Sequence, residues 1–110
     1  MAKTEVDIRY IVEQFISELQ KHIRVQKVIL YGSYAHGNQR EWSDIDIAII
    51  SDDFKRMKQV KRAELLALAH MNSDAAIEPI AYTLEEYKNA SHLTFLGEIK
   101  RTGRVIYEAD

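Results

Sequence analysis

The chain has 110 residues and a formal net charge of −2; 46% of its residues are hydrophobic and 29% are charged. This length suits one domain with one modest core, and the composition is that of an ordinary folded protein. The sequence has no cysteine, which excludes disulfide bonds, thiolate catalysis and cysteine-ligated zinc. The charge balance gives no support for non-specific binding to nucleic acid or to an anionic membrane. No stretch resembles a membrane span or a signal-peptide core, so we expect a single cytoplasmic domain over residues 1–110.

The first half of the sequence predicts one helix and two strands. Thr4, followed three residues later by an acid, is a helix-start pattern, and apolar residues from Ile8 to Ile23 recur at spacings of three and four. This pattern predicts a helix of about five turns. Residues 25–31 are rich in β-branched and aromatic residues and read as a strand, and a polar segment separates them from a second strand over residues 44–50.

The second half predicts three further helices and two strands. Residues 55–72 look helical, with an apolar face shared by Met57, Val60, Ala63, Leu66, Ala67 and Met71. Residues 76–82 read as a strand at a sheet edge or bulge, because Pro79 cannot donate to a ladder.

A capping box at Thr83 opens a short helix, Ser91 is expected to cap another that ends near Thr102, and residues 105–107 read as a closing strand. This alternation predicts an α/β or α+β fold, with one sheet of about four strands and helices packed on it.

Two carboxylates open the second strand. Asp44 and Asp46 are two residues apart, so both side chains leave the same face, about 7 Å apart along the backbone, while Ile45, Ile47 and Ile49 form the opposite, core face. Like charges placed side by side repel unless a cation lies between them, and hard oxygen ligands at this spacing suit one or two Mg²⁺ ions. Taken alone, the pair also fits a solvated strand start.

A glycine and a serine directly follow the first strand. Gly32 allows a tight turn and a close approach to a ligand, and the Ser33 hydroxyl with the following N–H groups can hold phosphate oxygens. The same dipeptide is common in plain turns. The segment is neither a P-loop nor a dinucleotide-binding fingerprint, since the required lysine and glycine spacings are absent.

Together these residues resemble a known signature. Gly32-Ser33, ten intervening residues and then Asp44-Ile45-Asp46 look like the motif of the DNA polymerase β-like nucleotidyltransferase superfamily, and the short length resembles its minimal nucleotidyltransferase (MNT) branch. Gly37, Ser43 and the segment 82–86 match as well. The resemblance implies a polymerase β-like fold and transfer of a nucleoside monophosphate from a nucleoside triphosphate, ATP above all, with two Mg²⁺ ions.

The resemblance also implies a third carboxylate on a later strand. Glu78 is the candidate, which makes Asp44, Asp46 and Glu78 the expected catalytic and metal-binding set. Some members of the superfamily place an aspartate two residues earlier, where this chain has Ala76, so the alternative is a site that has lost an acid.

Other residues of the glycine-rich segment have weaker assignments. Arg40 is the nearest permanent cation and is expected to contact phosphate or acceptor, together with Gly32 and Ser33. His36 stands where many members of the superfamily have arginine, and it is either a phosphate neighbour or an ordinary loop residue. Trp42 either stacks on a base or packs the loop.

The resemblance implies a protein partner as well. MNT proteins are similar to the antitoxins of two-component modules whose partner is a helical HEPN-domain ribonuclease, and some attach AMP to a tyrosine of that partner. We therefore expect a second protein chain, either a HEPN-type partner or another copy, and no direct binding to nucleic acid or membrane. The alternative is a non-catalytic module that binds nucleotide or occludes its partner. Transfer to a small molecule and nucleic-acid synthesis are disfavoured.

Overall fold

The computed structural model describes residues 4–37, 44–71 and 76–109. Their helices and strands are α1 (Glu5–Leu19), β1 (Lys27–Tyr31), α2 (Ser33–His36), β2 (Ile45–Ile50), a 3₁₀ helix (Asp52–Arg56), α3 (Gln59–His70), β3 (Ile77–Tyr82), α4 (Leu84–Lys88), α5 (Phe95–Thr102) and β4 (Arg104–Glu108). The predicted α+β class is confirmed. None of the helices in these three ranges has the length and hydrophobicity that crossing a bilayer requires.

The strands form one mixed sheet in the order β3-β2-β1-β4. Strand β1 is antiparallel to both β2 and β4, whereas β2 and β3 run parallel. A parallel pair needs a long crossover connection, and the segment with the 3₁₀ helix and α3 provides it. Strand β3 lies at an edge, as Pro79 predicts, because the missing N–H of proline is tolerated there.

Apolar side chains cover both faces of the sheet. Ile45, Ile47 and Ile49 point into the larger core, whose other members come mainly from α1 and α3, and this confirms their predicted core face. The opposite face carries a smaller cluster in which Ala48 and Ile50 of β2 pack with Ile29 and Ile99. Helix α5 therefore covers the second half of β2 on that face, and the half-exposed Asp46 marks where this cover ends.

Both predicted capping boxes are present. The Thr4 hydroxyl accepts from the N–H of Asp7 at 3.1 Å, and the Asp7 carboxylate accepts from the N–H of Thr4 at 3.0 Å. Thr83 and Glu86 repeat the arrangement at α4, with distances of 3.0 and 2.7 Å. These reciprocal bonds satisfy N–H groups that have no partner within the helix, which is why the short local pattern locates both helix starts.

The predicted apolar face of the third helix is correct for Leu66, which is buried, and for Met57, which packs against the core, and wrong for its other members. Helix α3 begins at Gln59, after the 3₁₀ helix, and buries Arg62, Leu65, Leu66 and Ala69. Val60 and Met71 are 70% and 68% exposed, because a residue two positions from the buried stripe points to the opposite side of the helix. The buried Arg62 explains the shift: its Nε donates to the carbonyl oxygens of Phe54 and Met57 at 3.1 and 3.2 Å.

Several predicted boundaries also change. Helix α1 ends at Leu19 instead of reaching Ile23, β1 begins at Lys27 and β3 at Ile77. Helix α5 is capped by Thr94 and not by Ser91, because the Thr94 hydroxyl accepts from the N–H of Gly97 at 3.0 Å.

Candidate active site

Three polar side chains form a row across the sheet. Asp46 of β2 pairs with Tyr31 of β1 on one side and with Glu78 of β3 on the other. Residues that pair directly across neighbouring strands project from the same face, with Cα atoms about 5 Å apart. This face is the one that carries Ile99 and α5, so the row lies just beyond the smaller apolar cluster.

The third predicted carboxylate lies beside the first two. The Glu78 side chain is hydrogen-bonded to Asp44, and this bond, with the nearby negative charges of Asp44 and Asp46, raises the pKa of Glu78. Partial burial, together with the charge of Asp44, raises the pKa of Asp46. A hydrogen bond between two carboxyl groups requires a proton on one of them. Three acidic side chains that lie this close favour such a proton because their negative charges repel each other.

The register places Glu78, one of the two candidate positions for the third acid, directly beside Asp46. Glu78 is in register with Asp46, whereas Ala76 precedes β3 and accepts from the N–H of Ile45 through its carbonyl oxygen at 2.8 Å. The carboxylate of Glu78 is therefore the one that the fold brings to Asp44 and Asp46.

The glycine turn meets the carboxylates at Gly32. This residue has φ 74° and ψ −151°, a backbone conformation that is essentially restricted to glycine. A Cβ built on Gly32 would collide with Oδ2 of Asp46. The backbone angles require glycine at position 32, and a side chain there would displace the Asp46 carboxylate that lies against it.

A single helical turn follows the glycine. Helix α2 runs from Ser33 to His36, and Gly37 ends it in the left-handed conformation with φ 75°. The Ala35 N–H donates to the Gly32 carbonyl at 3.1 Å, and the turn before it offers the Ser33 hydroxyl and backbone N–H groups next to Gly32 in the chain. His36 is exposed at the end of the turn. Arg40, Trp42 and Ser43 lie outside the described residues.

Tyr31 was not singled out in the sequence, although it belongs to this row. Burial and the negative charges nearby, first that of Asp46, raise the pKa of Tyr31 to about 12, so its phenol stays protonated at neutral pH. The available signal was its position as the last residue of a strand that ends at Gly32. The pairing of that strand with the strand of Asp46 cannot be predicted from neighbouring residues in the sequence.

The donor set suits a divalent cation of the Mg²⁺ type. Asp44, Asp46 and Glu78 offer only hard carboxylate oxygens, and a cation between them would relieve the repulsion that raises the pKa values of Asp46 and Glu78. Within residues 4–37, 44–71 and 76–109, no three acidic or histidine side chains converge closely enough to enclose an ion. Mg²⁺ is usually held by one or two carboxylates together with water and substrate phosphates.

Comparisons with known proteins identify the family. The family model described as polymerase beta, nucleotidyltransferase matches residues 13–110. Two proteins of Methanocaldococcus jannaschii, both named for a proposed protein adenylyltransferase activity, are 30% and 29% identical to the chain. The alignments cover 87% and 82% of this chain and 94% and 93% of those proteins.

Solved structures show the same fold. A proposed nucleotidyltransferase from Sulfolobus solfataricus has a TM-score of 0.70 at 16% identity, over 98% of this chain and 92% of its own. A complex described as the tri-AMPylated HEPN toxin of Shewanella oneidensis with its MNT antitoxin gives a TM-score of 0.60 at 20% identity, over 93% of this chain and 73% of the matched chain.

Proposed function

The chain belongs to the polymerase beta nucleotidyltransferase family and is a nucleotidyltransferase; we propose that it transfers AMP from ATP to a protein hydroxyl in a Mg²⁺-dependent reaction. The observation that carries the proposal is the meeting of Asp44, Asp46 and Glu78 with the Gly32 turn at one end of the sheet. This arrangement combines carboxylates for a metal with backbone donors for phosphate.

Each part of the site has a separate task. Asp44 and Asp46, with Glu78 beside them, would hold Mg²⁺, which when bound supplies positive charge against the α-phosphate and the pyrophosphate leaving group. The Ser33 hydroxyl and the N–H groups of the turn hold the remaining phosphate oxygens. Because the turn follows β1 and Glu78 lies on β3, phosphates and acceptor approach Asp46 from opposite sides.

The acceptor hydroxyl must lose a proton as its oxygen bonds to the α-phosphorus. Glu78 is exposed at the edge of the sheet, where an acceptor from outside can reach it. Glu78 is paired with Asp46 in the sheet register, so a hydroxyl brought to this edge finds a carboxylate beside the metal-binding pair that can take its proton. Glu78 thus fits the role of proton acceptor, while the bond from the α-phosphorus to the pyrophosphate oxygen breaks.

We propose a tyrosine of a HEPN-type helical protein as the acceptor. Two observations support this choice: the relatives in M. jannaschii are named for protein adenylylation, and a protein of the same fold occurs in a complex with an AMPylated HEPN toxin. A partner that carries its own tyrosine to the open β3 edge needs no acceptor pocket within this chain.

The test is transfer of label to a co-purified HEPN-type partner. ATP labelled at the α-phosphate should label the partner, ATP labelled at the γ-phosphate should not, and peptide mass analysis should find the adenylyl group on tyrosine. The variant D44N/D46N should abolish labelling, whereas E13Q/E64Q, which removes two exposed helix carboxylates, should not.

Equal labelling by D44N/D46N would refute the proposal. A partner that is inhibited by the wild-type chain without acquiring label would instead favour occlusion without catalysis.

A further inference from the structure

An exposed aromatic ring adjoins the carboxylate row. Phe95, the first residue of α5, is 55% exposed, and its ring packs edge-to-face against Tyr31 with centroids 5.7 Å apart and an interplanar angle of 84°. Tyr31 is the register partner of Asp46 and immediately precedes Gly32. Phe95 is therefore one side chain away from both the metal-binding carboxylate and the phosphate turn.

The position of Phe95 is fixed by the turn before it. The N–H of Leu93 donates to the Ser91 hydroxyl at 3.2 Å, and the Thr94 hydroxyl donates to the Ser91 carbonyl at 2.7 Å. A Cβ on Gly97 would collide with that same carbonyl, so the turn lies directly on the backbone of α5. The ring is thus held in place while more than half of it remains in contact with solvent.

We propose that Phe95, supported by Tyr31, is the stacking surface for the base of the bound nucleotide. An edge-to-face contact covers at most one face of a ring, Phe95 is 55% exposed, and aromatic rings bind bases through their faces. In a nucleotide one ribose separates the base from the triphosphate, and in this chain one side chain, that of Tyr31, separates Phe95 from the Gly32 turn. This inference rests on the proposed function, since it assumes that the carboxylate row and the turn hold a nucleotide.

A comparison with the neighbouring residue Leu93 distinguishes base stacking from the docking of a partner protein. Leu93 is 84% exposed on the same turn. A protein surface that docked on the turn would contact Leu93 as well as Phe95, whereas stacking of a base requires only the aromatic ring. The variant L93A therefore serves as the matched control for F95A.

The test measures the affinity of the intact chain for two probes by calorimetry in the presence of Mg²⁺. The probes are a non-hydrolysable ATP analogue and inorganic tripolyphosphate, which lacks a base. Alanine substitution of a stacking aromatic residue weakens base binding by about tenfold to a hundredfold. We expect F95A to lose this factor for the analogue and to keep its tripolyphosphate affinity, F95W to bind both probes, and L93A to match the wild type.

The inference is overturned if F95A binds the analogue as tightly as the wild type, if it loses both probes equally, or if L93A loses the analogue as F95A does. A wild-type chain that binds neither probe would overturn the proposed function and the inference with it. If the wild type binds both probes and F95A binds the analogue as tightly as the wild type does, only the stacking role is overturned.

Discussion

Replacing Gly32 with alanine tests the junction between the phosphate turn and the carboxylates. Two separate penalties arise in G32A. The backbone angles of φ 74° and ψ −151° cost a residue with a Cβ about 1–3 kcal/mol. The new methyl group also collides with the Asp46 carboxylate, which must move away from its position beside Glu78. For a domain of this size the backbone penalty alone lowers Tm by about 4–13 °C.

A double-mutant cycle separates the two penalties. In the D46A background the obstructing carboxylate is gone, so G32A should cost only the backbone penalty. We expect the free energy of unfolding, measured by urea denaturation, to show a coupling of about 0.5–3 kcal/mol between the two sites. G37A is a second comparison: Gly37, with φ 75° and ψ 12°, is in the left-handed helical region, which costs alanine less than the conformation of Gly32, and nothing lies within 4 Å of its added Cβ.

The reasoning would be refuted if G32A cost the same with Asp46 and with Ala at position 46. It would equally fail if G32A were no more destabilising than G37A.

Two further predictions concern stability away from the carboxylates. Tyr34 is 5% exposed, and within the described part of the chain its buried hydroxyl has no hydrogen-bond partner. Y34F should therefore leave the free energy of unfolding, measured by urea denaturation, unchanged or raise it by about 1 kcal/mol. A clear decrease in the free energy of unfolding would contradict this. Burial raises the pKa of Glu86, but the hydrogen bond from the Thr83 backbone and the charge of Arg62 outweigh it and lower the pKa below 4.5. The ionised Glu86 therefore stabilises the fold above pH 4.5, and this stabilisation is lost as the pH falls through its folded-state pKa. The free energy of unfolding of the wild type should exceed that of E86Q at neutral pH, and the difference should disappear below pH 4.5. The difference should stay under about 1 kcal/mol because the side chain is 44% exposed, and a constant difference from pH 6 to pH 3 would contradict the assignment.

Local patterns in the sequence were sufficient for features that depend on neighbouring residues. The capping boxes at Thr4 and Thr83 involve residues three apart, and the side to which Asp44 and Asp46 point follows from strand alternation alone. Both are confirmed by the structure. Ser91 and Thr94 show where such patterns are ambiguous, because either can cap a helix and only the contact of the turn with Gly97 selects Thr94.

Features that depend on pairing between distant segments could not be predicted. The pairing of Tyr31 and Glu78 with Asp46 follows from the register of three strands, and β2 and β3 join segments more than 30 residues apart. The buried face of α3 was predicted only at Leu66, because an arginine, normally a surface residue, belongs to that face. Its guanidinium is satisfied by carbonyl groups of the 3₁₀ segment and by Glu86, a combination that only the tertiary structure reveals.

The central claim is that Asp44, Asp46 and Glu78 hold a Mg²⁺-bound nucleoside triphosphate against the Gly32 turn. The most direct measurement is calorimetric titration of the wild type and of D44N/D46N with a non-hydrolysable ATP analogue, with and without Mg²⁺. We predict binding by the wild type only when Mg²⁺ is present, and at least a tenfold weaker affinity in the folded double variant. Equal affinity in the two proteins, or wild-type binding that does not depend on Mg²⁺, would contradict the claim.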